Sequence, residues 1–120
     1  MSVREIIERQ DLDAFAGALA PDVVWVGVLP GQLCRSRDEV VDTFRHALAE
    51  GVQADPEIVV ESGDALVVDF RPKPPPEVVP GLHQIFVLRD EQIVELRDFP
   101  DRRSALEAYE RMRALEEDAG

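Results

Sequence analysis

Asp98 is the residue whose type and setting most invite chemistry. Along the stretch from Gln92 to Asp101, alternation of an extended chain places Val94, Leu96 and Asp98 on one face and Ile93, Glu95, Arg97 and Phe99 on the other. A carboxylate among aliphatic side chains is costly to keep ionised unless something pairs with it, so a raised pKa and a general acid or base role are expected. The plainer alternative pairs Asp98 with Arg97, Arg102 or Arg103, or makes it a cap of the helix that follows. His83 lies on the preceding apolar run and is the only histidine expected on a strand, because His46 falls on a helix. If the two runs align, Asp98 could orient the His83 imidazole; otherwise His83, beside Ile85 and Val87, is a core or rim histidine bonded to backbone. Trp25 could stack on a planar ligand or fill the core, and Arg35 could hold a carboxylate or enolate oxygen or stand in solvent. Asp69 and Arg71 alternate with Leu66, Val68 and Phe70 and are expected to face solvent or a partner.

These side chains need elements to carry them. Val3, Ile6 and Ile7, then Leu12, Phe15, Ala16 and Leu19, recur at helical spacing, with Asp11 as a cap and Pro21 as a stop. Residues 23 to 29 read as a strand ended by Pro30-Gly31. Ser36-Arg-Asp-Glu39 has the capping-box spacing and opens a helix that buries Val40, Val41, Phe44, Ala47 and Leu48, with Gly51 as its end. Glu57 to Glu61 and Ala65 to Arg71 then form a hairpin around Ser62-Gly63-Asp64. A stiff loop rich in proline (Pro72, Pro74, Pro75, Pro76, Pro80) leads to two further strands, His83 to Arg89 and Ile93 to Phe99, joined at Asp90-Glu91. Asp101 caps a last helix burying Ala105, Leu106, Tyr109, Met112 and Leu115. Helices, strand, helix, two hairpins and helix make an α+β layout with a mostly antiparallel sheet, as one domain over residues 1–120.

Composition removes several classes of partner. With 25 acidic against 13 basic residues and a net charge of -12, the chain repels nucleic acid and anionic lipid, so neither is expected to bind. Cys34 is the single cysteine, which excludes an internal disulfide, and no His/Cys/Asp cluster has metal-ligand spacing. No metal and no cofactor are expected. The N-terminal run mixes charge with aliphatics and lacks the apolar core of a signal peptide, so a cytoplasmic location is the expectation.

The order of elements, together with Ala20-Pro-Asp-Val-Val-Trp25, Pro30-Gly31, Cys34-Arg-Ser-Arg-Asp-Glu-Val40 and Gln92-Ile-Val-Glu-Leu-Arg-Asp-Phe-Pro-Asp101, resembles the SnoaL-like branch of the nuclear transport factor 2-like superfamily. That resemblance implies a curved sheet wrapped around helices as a cone with an apolar pocket, and a homodimer. It implies for Asp98 the position of the acid-base aspartate of SnoaL-type cyclases and for His83 that of a helper. Trp25, Arg35, Phe15 and Phe44 are then the candidate ligand contacts. Two chemistries of the superfamily do not match: the only tyrosine, Tyr109, is not in an early helix as ketosteroid isomerases require, and the chain has no asparagine for the epoxide hydrolase set. The expected function is cofactor-independent acid-base chemistry, of isomerase, cyclase or dehydratase type, on a small hydrophobic organic ligand. The alternative is a ligand-binding or dimerisation domain of the same fold without chemistry.

Overall fold

The structure is a computed structural model that describes residues 2–28, 31–51, 53–73 and 82–119. Two short helices, α1 (Val3–Arg9) and α2 (Leu12–Ala18), lead into β1 (Leu19–Val26) and a two-residue β2 (Leu33–Cys34). Then follow α3 (Arg37–Ala49), β3 (Gln53–Glu61), β4 (Ala65–Lys73), β5 (Leu82–Arg89), β6 (Gln92–Phe99) and α4 (Arg102–Ala119). Pro30, and Pro74, Pro75, Pro76 and Pro80 with the loop expected there, lie outside the described residues.

The helix starts follow their caps. Ser2, Asp11 and Ser36 each accept a backbone N–H three residues on, and Asp101 does so from Ser104 at 2.7 Å. That backbone bond, and then the Ser104 side chain, hold the exposed Asp101 carboxyl below its ordinary range. The expected stop of the second helix at Pro21 is corrected: α2 ends at Ala18, and Pro21 lies inside β1. A residue before proline is pushed towards extended backbone, so Ala20 cannot easily continue a helix and Leu19, fully buried, joins the strand instead. Arg37 fixes the junction by donating from Nε and Nη2 to the Leu19 carbonyl at 3.0 and 2.7 Å.

The strands form one six-stranded sheet in the order β2-β1-β6-β5-β4-β3. All neighbours are antiparallel except β1 and β6. The sheet is curved and does not close, and both of its faces are packed. Leu66, Val68, Phe86, Ile93 and Leu96 point inward against Ile6 and Ile7 of α1, Phe15 of α2 and Val40 and Val41 of α3. Ala65, Val67 and Ile85 point outward against Ala105, Ala108 and Tyr109 of α4. Each fully buried large side chain such as Phe86 contributes on the order of 2 kcal/mol by leaving water. Leu115 and Leu48 were expected to be buried, but they are 70% and 54% exposed, and Leu48 is among the residues that line a cavity.

Register along β5 and β6 matters for every residue on them. The turn Asp90-Glu91 has both residues at positive φ (52° and 65°), the geometry that suits a two-residue hairpin. From it the pairing begins as Arg89 with Gln92 and Leu88 with Ile93, and then slips at Val94 so that Val87 faces Glu95 and Gln84 faces Asp98. This bulge corrects the expected face: Leu96 and Asp98 do point inward together, but Ile93, not Val94, shares the inner core with Leu96.

Candidate functional site

Asp98 is partly buried on the inner face, near the end of β6. Two side chains hold it, and neither carries a charge. Trp25 Nε1–H of β1 donates to Oδ1 at 2.8 Å, and Gln84 Nε2–H of β5 donates to the same oxygen at 2.7 Å. Among the described residues no hydrogen bond reaches Oδ2. Burial, which penalises the anion, raises the Asp98 pKa above its ordinary 3.8, and the bonds from Gln84 and Trp25 offset only part of that rise. None of the alternative partners is used: Arg97 pairs with Glu95, Arg102 with Asp69 and Glu57, and Arg103 with Glu107.

The sheet register keeps His83 away. His83 faces Phe99 and Asp69, whereas Gln84 faces Asp98, so imidazole and carboxylate project from opposite faces. The expected Asp98–His83 pair is therefore not formed. Had the register of the Asp90-Glu91 turn continued without the bulge, 83 would have stood opposite 98; a slip of one residue exchanges His83 for Gln84. On its own face His83 Nδ1 meets Asp69 Oδ1 at 2.7 Å. Asp69 Oδ2 takes Arg102 at 2.6 Å, Arg102 also reaches Glu57 at 3.2 Å, and Arg71 closes on Glu57 at 2.7 Å. Asp69 does not face solvent as expected. It is 4% exposed, beneath the first turn of α4.

Aromatic side chains fill much of the space that the inner face encloses. Trp25 stacks on Phe44 with ring centroids 4.9 Å apart and planes at 16°, and Phe15 meets Phe44 edge-on at 5.0 Å. Phe15, Phe44, Phe70 and Phe86, with Ile7 and Leu12, line a cavity of about 140 Å³ whose rim includes Gln10 and Asp11. Phe15 and Phe44, two of the candidate ligand contacts, line this cavity. Trp25 and Asp98 lie outside the cavity lining, on the same inner face. Arg35 does not join them. Its side chain is exposed, and its backbone N–H donates to Glu39 Oε2 at 2.8 Å in the cap of α3. A second, shallower recess of about 540 Å³ runs along Pro21, Asp22, Arg89 and Val94, at the bulged ends of β1 and β6 and away from these aromatics.

Sequence reasoning missed Gln84. It is fully buried, its Nε2 is committed to Asp98, and its Oε1 is buried without a hydrogen-bond partner. A signal was present, an amide beside His83 at the start of the apolar run Leu82 to Leu88, but nothing before the register was known tied it to Asp98.

The SnoaL-like domain family matches residues 3–96. The chain belongs to that family. Solved structures agree on the fold of this SnoaL-like domain. A nuclear transport factor 2-like protein of unknown function from Burkholderia pseudomallei is 24% identical, with a TM-score of 0.58 over 81% of this chain and 83% of its own. A protein from Sinorhizobium meliloti, named only provisionally as a polyketide cyclase, is 21% identical, with a TM-score of 0.61 over 79% and 87%. TerC, co-crystallised with polyporic acid, is 17% identical, with a TM-score of 0.59 over 86% and 88%. No curated protein matches the chain. No helix among the described residues is long and apolar enough to cross a membrane.

Proposed function

We propose that this SnoaL-like domain binds a small hydrophobic organic molecule and performs cofactor-independent acid-base chemistry on it, of isomerase, cyclase or dehydratase type, with Asp98 moving the proton. One observation carries the reading: the Asp98 carboxylate is anchored at Oδ1 by two neutral donors while Oδ2 has no partner among the described residues. A cation beside it would hold the carboxylate ionised and weaken it as a base. Neutral donors fix its position and leave burial free to raise its affinity for a proton. His83 has no part in this, since it stands on the opposite face. Carbon-13 NMR titration of the Asp98 carboxyl tests the reading. A pKa above 3.8 is expected, and a value at or below it removes the case for proton transfer near neutrality. Polyporic acid, the molecule co-crystallised with TerC, is the first ligand to add in that titration.

A second reading, a domain of the same fold that binds or dimerises without chemistry, is favoured by one observation. The cavity of about 140 Å³ is smaller than the ~300 Å³ usual for ligand sites, because its aromatic walls pack on one another. Binding of polyporic acid without chemical change, with Asp98 titrating normally, would select it.

A further inference from the structure

Asp98 Oδ2 is open to solvent. Among the described residues Gln84 Oε1 is the one buried side-chain nitrogen or oxygen without a partner, so Oδ2, which accepts no hydrogen bond, is not sealed in. Beside β6 runs β1, with Trp25 opposite Leu96 and Val26 opposite Arg97. One residue further on, the place next to Asp98 belongs to Gly27, which follows Trp25 by two residues and shares its inner face. Adjacent strands lie about 4.8 Å apart, so a side chain at this position would stand against the carboxyl. Glycine has none, and Gln32 takes the space. The pairing of Val26 with Leu33 brings Gln32 opposite Gly27, whose N–H donates to the Gln32 carbonyl at 2.7 Å. A Cβ built on Gly27 would meet Gln32 Cβ at 2.5 Å and Oε1 at 2.6 Å. The Gln32 carboxamide therefore lies across Gly27, one strand away from the open oxygen of Asp98.

We propose that Gln32 is a specificity-determining residue of the Asp98 site, its side-chain N–H donating to a carbonyl oxygen of the ligand while Oδ2 faces the hydrogen on the neighbouring carbon. The proposal rests on the acid-base reading above and names its ligand class, ketones with a hydrogen beside the carbonyl. An ionised carboxylate only accepts, so a ligand at Oδ2 finds no donor for its own oxygen on Asp98. Trp25 uses its only side-chain N–H on Oδ1, and Gln84 is fully buried. Gln32 is exposed, so its amide can turn about its last bond and present an N–H. A carboxamide has two such donors and can serve a ligand beside another bond that it keeps. An alkene of the same shape would gain only burial.

The test uses the whole chain at pH 7 with cyclohexanone and methylenecyclohexane as probes, which match in shape and differ by carbonyl oxygen against methylene. Affinities are read by NMR titration in the wild type and in two variants. Gln32→Met keeps the length of the side chain and removes both polar atoms, and the methyl of Gly27→Ala displaces the amide from its place. The ratio of ketone to alkene affinity is expected to fall about fivefold in each variant, the loss of one hydrogen bond. A ratio unchanged in either variant, or no preference for the ketone in the wild type, overturns the proposal. Should Gly27→Ala fail to fold, Gln32→Met, at an exposed position, decides alone. The Asp98 titration separates this proposal from the reading on which it rests. A normal Asp98 pKa with a ketone preference that depends on Gln32 would retire the proton chemistry but keep the carbonyl contact. A raised pKa without the preference would do the reverse.

Discussion

A buried carboxylate and a partly buried one, on neighbouring rows of one sheet, meet opposite fates. On the outer face Asp69 is enclosed by a polar network: the His83 imidazole on one oxygen, the Arg102 guanidinium on the other, and Glu57 and Arg71 beyond. On the inner face Asp98 is enclosed by an indole and an amide, both neutral, and both on one oxygen. The first arrangement uses up the carboxylate. It ties the first turn of α4 to β3, β4 and β5 and leaves neither Asp69 oxygen free. The second fixes the carboxylate in place without neutralising it, and burial then raises its pKa. The two acids are thus distinguished by the charge of their partners and, among the described residues, by an oxygen that Asp98 leaves without a hydrogen bond.

The largest expected difference between the two is in stability. Asp69→Asn leaves Arg102 and His83 without their carboxylate. Breaking a fully buried ion pair costs about 3–5 kcal/mol, but the Arg102 side chain is 47% exposed and can return to water, so a loss of about 2–3 kcal/mol is expected in urea denaturation. A loss below about 1 kcal/mol would mean that α4 is held by Ala105, Ala108 and Tyr109 alone, and that the outer carboxylate is no anchor.

Asp98→Asn is expected to behave in the opposite way. The asparagine carbonyl can take the place of Oδ1 and still accept from Trp25 and Gln84, while no charge remains to be buried. The folded pKa of Asp98 is raised, so its contribution to stability is complete below the unfolded value near 3.8 and is lost as pH rises through the folded value. The wild type should therefore fall behind the variant as pH rises from about 4 towards neutrality, by on the order of 1 kcal/mol in all. Thermal melts across that range read the difference. A variant less stable than wild type at pH 7 would show that the inner carboxylate is structural after all.

Most of the fold could be read in advance because its signals are local. Ser36, Asp11 and Asp101 cap helices by bonds three residues long, and the Asp90-Glu91 turn is set by two backbone angles. What could not be read depends on pairing between strands. One unpaired residue at Val94 decides which of two adjacent residues, His83 or Gln84, faces Asp98, and composition carries no trace of it because apolar residues flank both. Leu19 was misplaced for a similar reason: its burial fits a helix face as well as a strand start, and only the restraint of Pro21 on Ala20 separates them. Asp98 was legible as a chemical candidate because both its alternation with Leu96 and its cost of burial survive the bulge. Its partners were not.

The smallest expected effect tests that bulge directly. His83→Gln removes the imidazole from Asp69 and retains an amide able to donate to it, so α4 should lose little of its attachment. Because His83 and Asp98 project from opposite faces, with the closed backbone of β5 and β6 between them, the Asp98 titration should keep its midpoint in the variant. A measurable shift would require the pair to share a face. That in turn would require Leu88 and Ile93 to continue their register through Val94 without the bulge. Gln84 would then leave Asp98, and the contrast between the two carboxylates would collapse into a single His83–Asp98 site. An unmoved midpoint in His83→Gln keeps the two faces separate and leaves the inner carboxylate to its neutral partners.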